Sequence, residues 1–283
     1  MTLIRFGRYR RPLPGRLLAL VVTALGLIWT NPAEAQRRGR GYYGGDPNEF
    51  WEHPEFRGNN PYDGRVTFAR IKYRGFEKFQ GDGVGWAHDY PRAEEHLMRI
   101  VREITAIRPF VESDKVIGGN VIALDDPELM KYPVAYLSEP GGWFPNEKEI
   151  AGLRNYLLKG GFVIVDDFAE YAGGNDLQHF IGVMKQVLPK GVIVDVPESH
   201  PIFDAFYKVN LRLMESGGQN YAGRARYLAY YQDNDPKKRI MMMVNLNLDV
   251  GESWQFPGRG FSMAPSNEAY KLGVNYLVYA LTH

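Results

Sequence analysis

Cysteine is absent from the 283-residue sequence. Its absence excludes disulfide bonds, thiolate metal sites and a cysteine nucleophile, so hydrophobic packing must hold the fold together. The composition can supply that packing, because 45% of the residues are hydrophobic and 24% are charged. The chain is long enough to bury a full core as one large α/β domain, or as one domain with an appendage.

The N-terminal segment lacks an apolar run long enough for a stable membrane-spanning helix. Five arginines precede an apolar run at residues 17–29, and the small-residue segment 33–35 follows it. The run has 13 residues, whereas a spanning helix needs about 20. This order predicts an export signal at residues 1–35, cleaved after Ala35, with a retained anchor as the alternative. We therefore expect a periplasmic or secreted protein that meets the membrane only during export.

The predicted mature chain also lacks a concentrated basic surface. Residues 1–35 contain five arginines and one glutamate, so their removal changes the formal net charge from +1 to −3. The basic character of the sequence therefore belongs to the export signal, and a nucleic-acid partner is not expected.

Beyond the signal, the pattern divides into an arm and a domain. Residues 36–64 are rich in glycine, arginine, asparagine and aromatic residues and predict an extended or disordered arm. From residue 65 to 283, strands and helices alternate. Strands are predicted at 65–73, 120–126, 132–139, 162–165 and 191–196, with a hairpin of 225–232 and 238–249. Helices are predicted at 91–107, 146–160, 175–188 and 267–283. Asn146 with Glu149 forms a capping box for the second helix, and Ser266 caps the last. Alternation of this kind predicts a single α/β domain with a mainly parallel sheet covered by helices on both faces.

Several polar residues follow the predicted parallel strands: Glu139, Asp166, Asp167, Asn247 and Asp249. The carboxyl ends of such strands form the crevice in which ligands bind. Because neighbouring strand residues point to opposite faces, we expect one of the two adjacent aspartates to face the crevice and the other to cap the next turn.

The chemistry of these residues leaves two interpretations open. Asp166 and Asp167 can supply a general base or ligands for a hard cation, or can both bind backbone amides in the turn. His200 can be an acid, a base or a ligand, or a turn residue fixed by Pro201. Neither His88 nor His96 has a metal-binding spacing, so the sequence predicts no metal site.

The glycine-rich loop at residues 75–91 lacks both the G-x-x-x-x-G-K-[ST] and the G-x-G-x-x-G patterns, so no nucleotide or other cofactor is predicted. Trp86 and Asp89 in this loop suit a sugar or peptide ligand in the crevice, since an aromatic face and a carboxylate match a polyol ring. Trp254 is a further candidate for the crevice. Alternatively, the tryptophans cover the sheet edge.

The segments YPVAYLSEPGG, EIAGLRNYLLKGG and FVIVDD resemble the class I glutamine amidotransferase-like superfamily, which has a flavodoxin-like fold. Counting from Gly160 and Gly161, the catalytic cysteine of that superfamily falls on Asp167. Its histidine is expected where this chain has Asn247 and Asp249. A carboxylate can attack or act as a base but cannot perform the thiolate step, so the resemblance implies that amidotransferase activity is lost.

Two closer resemblances lie within that superfamily. ESHPIFDAF and NEAYKLGVNYLVYAL are similar to the trehalose-utilisation-protein-like group. HDYPRAEEHL, LDDPELMKYPVAYL, PESHPIFDAFY and NLNLDVGESW resemble an exported family described as domain of unknown function 4159, over residues 65–283. This resemblance implies fold and export but no activity.

Two hypotheses for function follow. The first is a non-catalytic binding or assembly module with a degenerate amidotransferase-like cleft, whose partner is a sugar, a peptide or an envelope protein. The second is a hydrolase or carbohydrate-active enzyme that uses Asp167 as base or nucleophile, assisted by His200 or Asp249.

Overall fold

A seven-stranded sheet is the centre of the computed structural model, which describes residues 58–73, 77–79, 83–112, 115–116, 119–170, 175–215, 223–256 and 263–283. The strands are β1 (Phe68–Lys72), β2 (Gly119–Ala123), β3 (Val134–Ser138), β4 (Phe162–Phe168), β5 (Ile193–Asp195), β6 (Arg226–Tyr231) and β7 (Ile240–Leu246). Their order in the sheet is β2-β1-β3-β4-β7-β6-β5. The first five strands of this order are parallel, and β6 is antiparallel to both β7 and β5.

In the described residues, six α-helices accompany the sheet. They are α1 (Arg92–Ile104), α2 (Glu147–Leu158), α3 (Asp176–Val187), α4 (Leu211–Glu215), α5 (Val250–Gln255) and α6 (Met263–Thr282). Short 3-10 turns follow the central strands, including Gly85–Ala87 after β1 and Pro140–Gly142 after β3. Two small antiparallel hairpins, Glu77–Phe79 with Gly83–Val84 and Val111–Glu112 with Lys115–Val116, lie outside the main sheet.

The core has two layers, one on each face of the sheet. Alternate residues of β4 separate to the two faces, as the period of a strand requires. Val163 and Val165 belong to the layer that includes α2 and α3, whereas Phe162 and Ile164 belong to the layer that includes α1, α5 and α6. The sequence-based prediction of an α/β domain with a mainly parallel sheet between helices is therefore confirmed.

The helix ends confirm one predicted cap and correct another. Asn146 accepts hydrogen bonds from the backbone of Lys148 and Glu149, and Glu149 binds the Asn146 amide in return, so the predicted capping box forms. The prediction that Ser266 caps the last helix is wrong, because α6 begins at Met263 and Ser266 lies buried inside it.

The predicted export signal and most of the predicted arm lie outside the described residues. Of the arm, residues 58–64 are described. Asn59 bonds through its side-chain amide to both backbone groups of Val121 in β2, and Asn60 pairs with the Asn120 side chain. Since β2 is the edge strand, these bonds cover backbone groups that would otherwise face solvent. Within the described ranges, the helices are too short or too polar to cross a bilayer.

Candidate functional site

Four neighbouring strands of the sheet, β1, β3, β4 and β7, deliver ionisable side chains to their carboxyl ends. His88 and Asp89 follow β1, Glu139 follows β3, Asp167 lies at the end of β4, and Asp249 follows β7. Parallel strands end at the same edge, so residues that are far apart in the sequence meet there.

His88, Asp89, Asp167 and Asp249 form the carboxyl-edge cluster. Each residue offers one side-chain nitrogen or oxygen, and these four atoms all lie within 4.8 Å of one another. His88 Nδ1 is hydrogen-bonded to Asp167 Oδ2 and lies 4.0 Å from Asp89 Oδ2. Glu139 borders the cluster, because its Oε1 lies 3.6 Å from the same nitrogen. The three aspartates are buried, whereas the His88 side chain is 26% exposed and marks the solvent side.

The turns that carry the cluster adopt left-handed backbone conformations. Asp89, Glu139, Asp167 and Asn247 have φ angles of 65°, 44°, 61° and 59°. Residues other than glycine adopt such angles rarely, at a cost of order 1 kcal/mol or more. Surrounding contacts hold them in place; for example, the Asp167 amide donates to the Leu248 carbonyl at 3.1 Å. Left-handed turns at four strand ends are typical of a site in which side-chain direction matters more than local stability.

Asp166 and Asp167 diverge, as the sequence predicts, but Asp166 caps a different turn from the expected one. Asp166 is fully buried and accepts hydrogen bonds from Tyr136 and Asn245 at 2.7 and 3.0 Å. It also accepts from the backbone amides of Val250 and Gly251 at 2.8 and 2.9 Å. These amides belong to the turn after β7 and not to the turn after β4. Asp166 therefore joins three strands and orients the segment that carries Asp249.

Arg70 supports the turn that carries His88 and Asp89. This arginine of β1 is 1% exposed and forms a buried ion pair with Glu94 of α1. Its Nη1 donates to the carbonyl oxygens of Trp86 and His88 at 3.0 and 2.7 Å. A guanidinium has enough donors to serve the carboxylate and both carbonyls at once.

Burial and close charges shift the pKa values in the cluster. Burial raises the pKa of Asp89 to about 8, although His88 opposes the shift. Burial also raises the pKa of Asp249 well above its ordinary value, and the charges of Asp167 and Asp89 add to the shift. For His88, burial disfavours the charged form, but the hydrogen bond and charge of Asp167 outweigh it and raise the pKa to about 10. Strong pKa shifts in adjacent groups are typical of functional sites.

Asp166 differs from Asp89 in that both of its carboxylate oxygens accept hydrogen bonds. Burial raises its pKa to about 6, and the bonds from Tyr136, Gly251 and Asn245 limit the rise. Asp166 is thus a structural acceptor that holds neighbouring segments together. The cluster itself, with one imidazole and three carboxylates, can hold a cation or activate a water molecule.

Other residues predicted from the sequence lie near the edge but have structural roles. Asn247 donates to the Arg224 carbonyl at 2.9 Å and accepts from the Glu170 amide at 2.8 Å, so it joins two connecting segments. Trp86 and Trp254 are each 1% exposed, and neither offers an open ring face to a sugar. Trp254 donates from Nε1 to the Ala269 carbonyl at 3.0 Å and thereby packs α5 against α6.

His200 lies at the other end of the sheet. Its ring centroid is 6.0 Å from that of Tyr231 and 6.1 Å from that of Tyr279. Tyr231 pairs with Ile240, the first residue of β7, whereas the cluster gathers at the last residues of the parallel strands. The His200 Nδ1 accepts from the Ile202 amide at 3.2 Å, which agrees with the interpretation as a turn residue. The structure does not bring His200 to Asp167.

Sequence reasoning missed the part that His88 plays. It compared His88 only with His96, because a metal-binding spacing within one helix was the pattern sought. The available signal was position: His88 and Asp89 end the connection that follows the first strand, and Asp166 and Asp167 lie at the end of the fourth strand. Arg70 gave no signal, because an arginine inside a predicted strand is ordinarily an exposed residue.

Two surface grooves lie away from the cluster. One is lined by Ile100, Tyr207 and Tyr270 between α1 and α6, and the other by Asp195 and Arg226 at the β5–β6 edge. Neither includes a member of the cluster, so the buried carboxyl edge remains the place where ionisable groups converge.

The fold and site define an α/β domain whose mainly parallel sheet carries a buried histidine–aspartate cluster at its carboxyl edge. Residues 67–281 match the model of the family described as domain of unknown function DUF4159, and the chain belongs to that family. No curated protein gives a significant match to the sequence.

Proposed function

We propose that this protein is an exported, non-catalytic binding module whose ligand site is the carboxyl-edge cluster. The observation that supports the proposal is the convergence of four side chains from β1, β4 and β7 within 4.8 Å, at the sheet edge where α/β domains bind ligands. The order β2-β1-β3-β4 of the first strands is the order found in flavodoxin-like folds, which supports placement of the domain in the class I glutamine amidotransferase-like superfamily.

Asp167 occupies the position of the nucleophile in that proposed relationship. Its φ of 61° directly after the apolar part of β4 resembles the strained strand-to-helix turn on which such nucleophiles stand. At this position Asp167, which is buried and hydrogen-bonded to His88, replaces the cysteine of the superfamily. This replacement supports a site that keeps the superfamily's position in the fold but lacks its thiol chemistry. An envelope component, either a sugar, a peptide or a protein, is the partner class consistent with the proposed export.

A ligand screen by thermal shift tests the proposal. The purified protein, the Asp167→Asn variant and the control Asp204→Asn are heated with sugars, muropeptides or divalent ions. Asp204 is exposed and lies at the opposite end of the sheet, near His200. We expect a ligand that raises the Tm of the wild type and the control but not of Asp167→Asn. Equal stabilisation of all three proteins, or of none, would contradict the proposed site.

Hydrolysis is a second candidate function, because the His88–Asp167 hydrogen bond resembles a base and the group that orients it. If the protein is a hydrolase, His88 is the histidine that assists Asp167, in place of His200. Assays with ester, glycoside and amide substrates separate the two functions. Activity that Asp167→Asn abolishes and Asp204→Asn retains would replace the binding module with an enzyme.

A further inference from the structure

We infer that the carboxyl-edge cluster is a site for one divalent transition-metal ion, ligated by His88 Nδ1 and by one carboxylate oxygen each from Asp89, Asp167 and Asp249. The inference rests on the proposed function, because both place the ligand at the same cluster. It adds the chemical class of that ligand.

The separations of the four donor atoms fit a single ion. They lie within 4.8 Å of one another. Nitrogen and oxygen ligands bind such ions at about 2.0–2.2 Å, so two donors on opposite sides of one ion are about 4.2 Å apart. Side-chain movements that draw the donors together, and that open the His88–Asp167 hydrogen bond so that both atoms face the ion, would therefore complete the coordination.

The charges in the pocket also favour a cation. Three carboxyl groups are buried together beside one imidazole, and Glu139 Oε1 adds a fourth carboxylate 3.6 Å from that imidazole. The guanidinium of Arg70 is already engaged with Glu94 and with two backbone carbonyls. Buried carboxylates are retained when they are paired or when they coordinate a metal.

The unsatisfied hydrogen-bonding capacity of Asp89 is a second observation that points to a bound ion, in addition to the distances between the donor atoms. Its side chain is fully buried, yet neither carboxylate oxygen accepts a hydrogen bond. The nitrogen of its basic neighbour, His88 Nδ1, is 4.0 Å from Oδ2, which is beyond hydrogen-bonding distance. Most buried polar atoms have a partner, and an ion at the centre of the cluster would provide one for Asp89.

The surrounding residues hold the ligands in position. The carbonyl of His88 is fixed by Arg70, and Asp249 Oδ1 accepts from the Glu252 amide at 2.7 Å. Asp166 accepts hydrogen bonds from the amides of Val250 and Gly251 and so fixes the turn that carries Asp249. Outer contacts of this kind orient ligands and tune affinity in metal sites.

The donor types select the class of metal. Magnesium and calcium prefer all-oxygen ligand sets, whereas imidazole with carboxylates suits ions such as Zn²⁺ and Mn²⁺. The 26% exposure of the His88 side chain gives the ion a route from solvent. We therefore expect Zn²⁺ and Mn²⁺ to bind more tightly than Mg²⁺ and Ca²⁺.

Equilibrium dialysis with elemental analysis tests the site. The full protein is stripped with a chelator and dialysed against Zn²⁺, Mn²⁺, Mg²⁺ or Ca²⁺, and affinity is measured by calorimetry. We expect one equivalent of Zn²⁺ or Mn²⁺, and affinities for Mg²⁺ and Ca²⁺ at least about 100-fold weaker. Asp89→Asn and His88→Gln are expected to lose about 100-fold or more, since loss of an outer contact alone costs 10–100-fold. Asp204→Asn serves as the control and keeps wild-type affinity.

The outcomes separate this inference from the proposed function. Absence of stoichiometric Zn²⁺ and Mn²⁺ in the wild type, or unchanged affinity in the folded Asp89→Asn variant, overturns the metal site. If a sugar or peptide still stabilises the protein in an Asp167-dependent manner, the binding module survives that result. If the metal binds and Asp167-dependent hydrolysis is found, the metal site stands and the non-catalytic function fails.

Discussion

Arg70 shows how much of the site depends on a residue that touches no ligand. Its guanidinium forms the ion pair with Glu94, contacts the carbonyls of Trp86 and His88, and lies 4.7 Å from the centroid of the Tyr136 ring. A single buried group therefore connects β1, α1 and the turn that carries two members of the cluster. Its removal would affect both stability and the geometry of the site.

The first prediction concerns this ion pair. We expect Arg70→Met to lower the free energy of unfolding by about 3–5 kcal/mol, because Glu94 is left buried without its partner. The double variant Arg70→Met with Glu94→Leu should recover most of that stability but still bind metal about 10–100-fold more weakly, because the carbonyls of the turn stay unsupported. Urea denaturation and calorimetry measure both effects. A double variant as unstable as the single one would contradict the role assigned to the pair.

The second prediction concerns Asp89 in the metal-free protein. We expect Asp89→Asn to raise the free energy of unfolding at pH 7 by about 1 kcal/mol or more, because it replaces a buried, unbonded carboxyl group beside other acids with a neutral isostere. Asp204→Asn should change the stability by less than about 0.5 kcal/mol. Denaturation in the presence of a chelator supplies the comparison. A clear loss of stability in Asp89→Asn would show that its carboxylate is structural.

At the residue scale, the sequence predicted only some of the residues that form the candidate site. The apolar run of β4 placed Asp167 at a strand end, and alternation correctly separated it from Asp166. The partners of Asp167 could not be predicted in the same way, because His88 and Asp249 reach it only through a strand order that no local pattern encodes. The role of Arg70 could not be predicted for a different reason. Its charge can be buried only because Glu94, on another element, forms an ion pair with it.

Helix α2 shows the importance of close backbone packing at the element scale. A Cβ atom added to Gly152 would lie 1.8 Å from the carbonyl oxygen of Leu124, which follows β2. Because Gly152 has no side chain, α2 can pack closely against the backbone of the segment that follows β2. Gly182 in the middle of α3 is exposed and has no atom within 4 Å of the same added Cβ.

These two helical glycines give a matched prediction of opposite sign. Gly182→Ala should stabilise the protein by about 0.5–1 kcal/mol through helix propensity. Gly152→Ala gains the same propensity but should destabilise by about 2–3 kcal/mol, because the methyl group collides with backbone. Paired thermal and urea unfolding curves measure the difference. Stabilisation by both substitutions would mean that α2 does not pack as closely as the structure indicates.

Element types followed from the sequence more reliably than element ends. The capping box of Asn146 and Glu149 predicted the start of α2 because its bonds are local. The start of α6 was missed because the helix does not use Ser266 as a local cap and begins three residues earlier, at Met263. Local chemistry therefore predicts those boundaries that local bonds determine.

At the scale of the whole molecule, the parallel order of β1, β3, β4 and β7 creates the site. The pattern of alternating strands and helices predicted a sheet of this kind and a crevice at its carboxyl edge. The hydrolase hypothesis named His200 as a group that assists Asp167, although the chain places that residue near the amino end of β7. Proximity to a strand in sequence does not specify the end of the sheet at which a residue lies.

Export is the prediction that belongs to the whole chain. Expression with its own leader should yield a mature protein beginning at Gln36, identified by intact mass and N-terminal sequencing of the periplasmic fraction. Ala35→Arg should block processing because a small residue is needed at the cleavage site, whereas Ala35→Ser should preserve it. Recovery of the unprocessed 32.3-kDa chain in the membrane fraction would instead support the retained anchor.

The central claim is that the carboxyl-edge cluster is the ligand site of this protein. Anomalous diffraction from crystals equilibrated with one equivalent of Zn²⁺ tests it most directly. The account predicts a single strong anomalous peak about 2.0–2.2 Å from His88 Nδ1 and from oxygens of Asp89, Asp167 and Asp249. A peak elsewhere, such as beside His200 and His283, or no peak at the carboxyl edge, would contradict it.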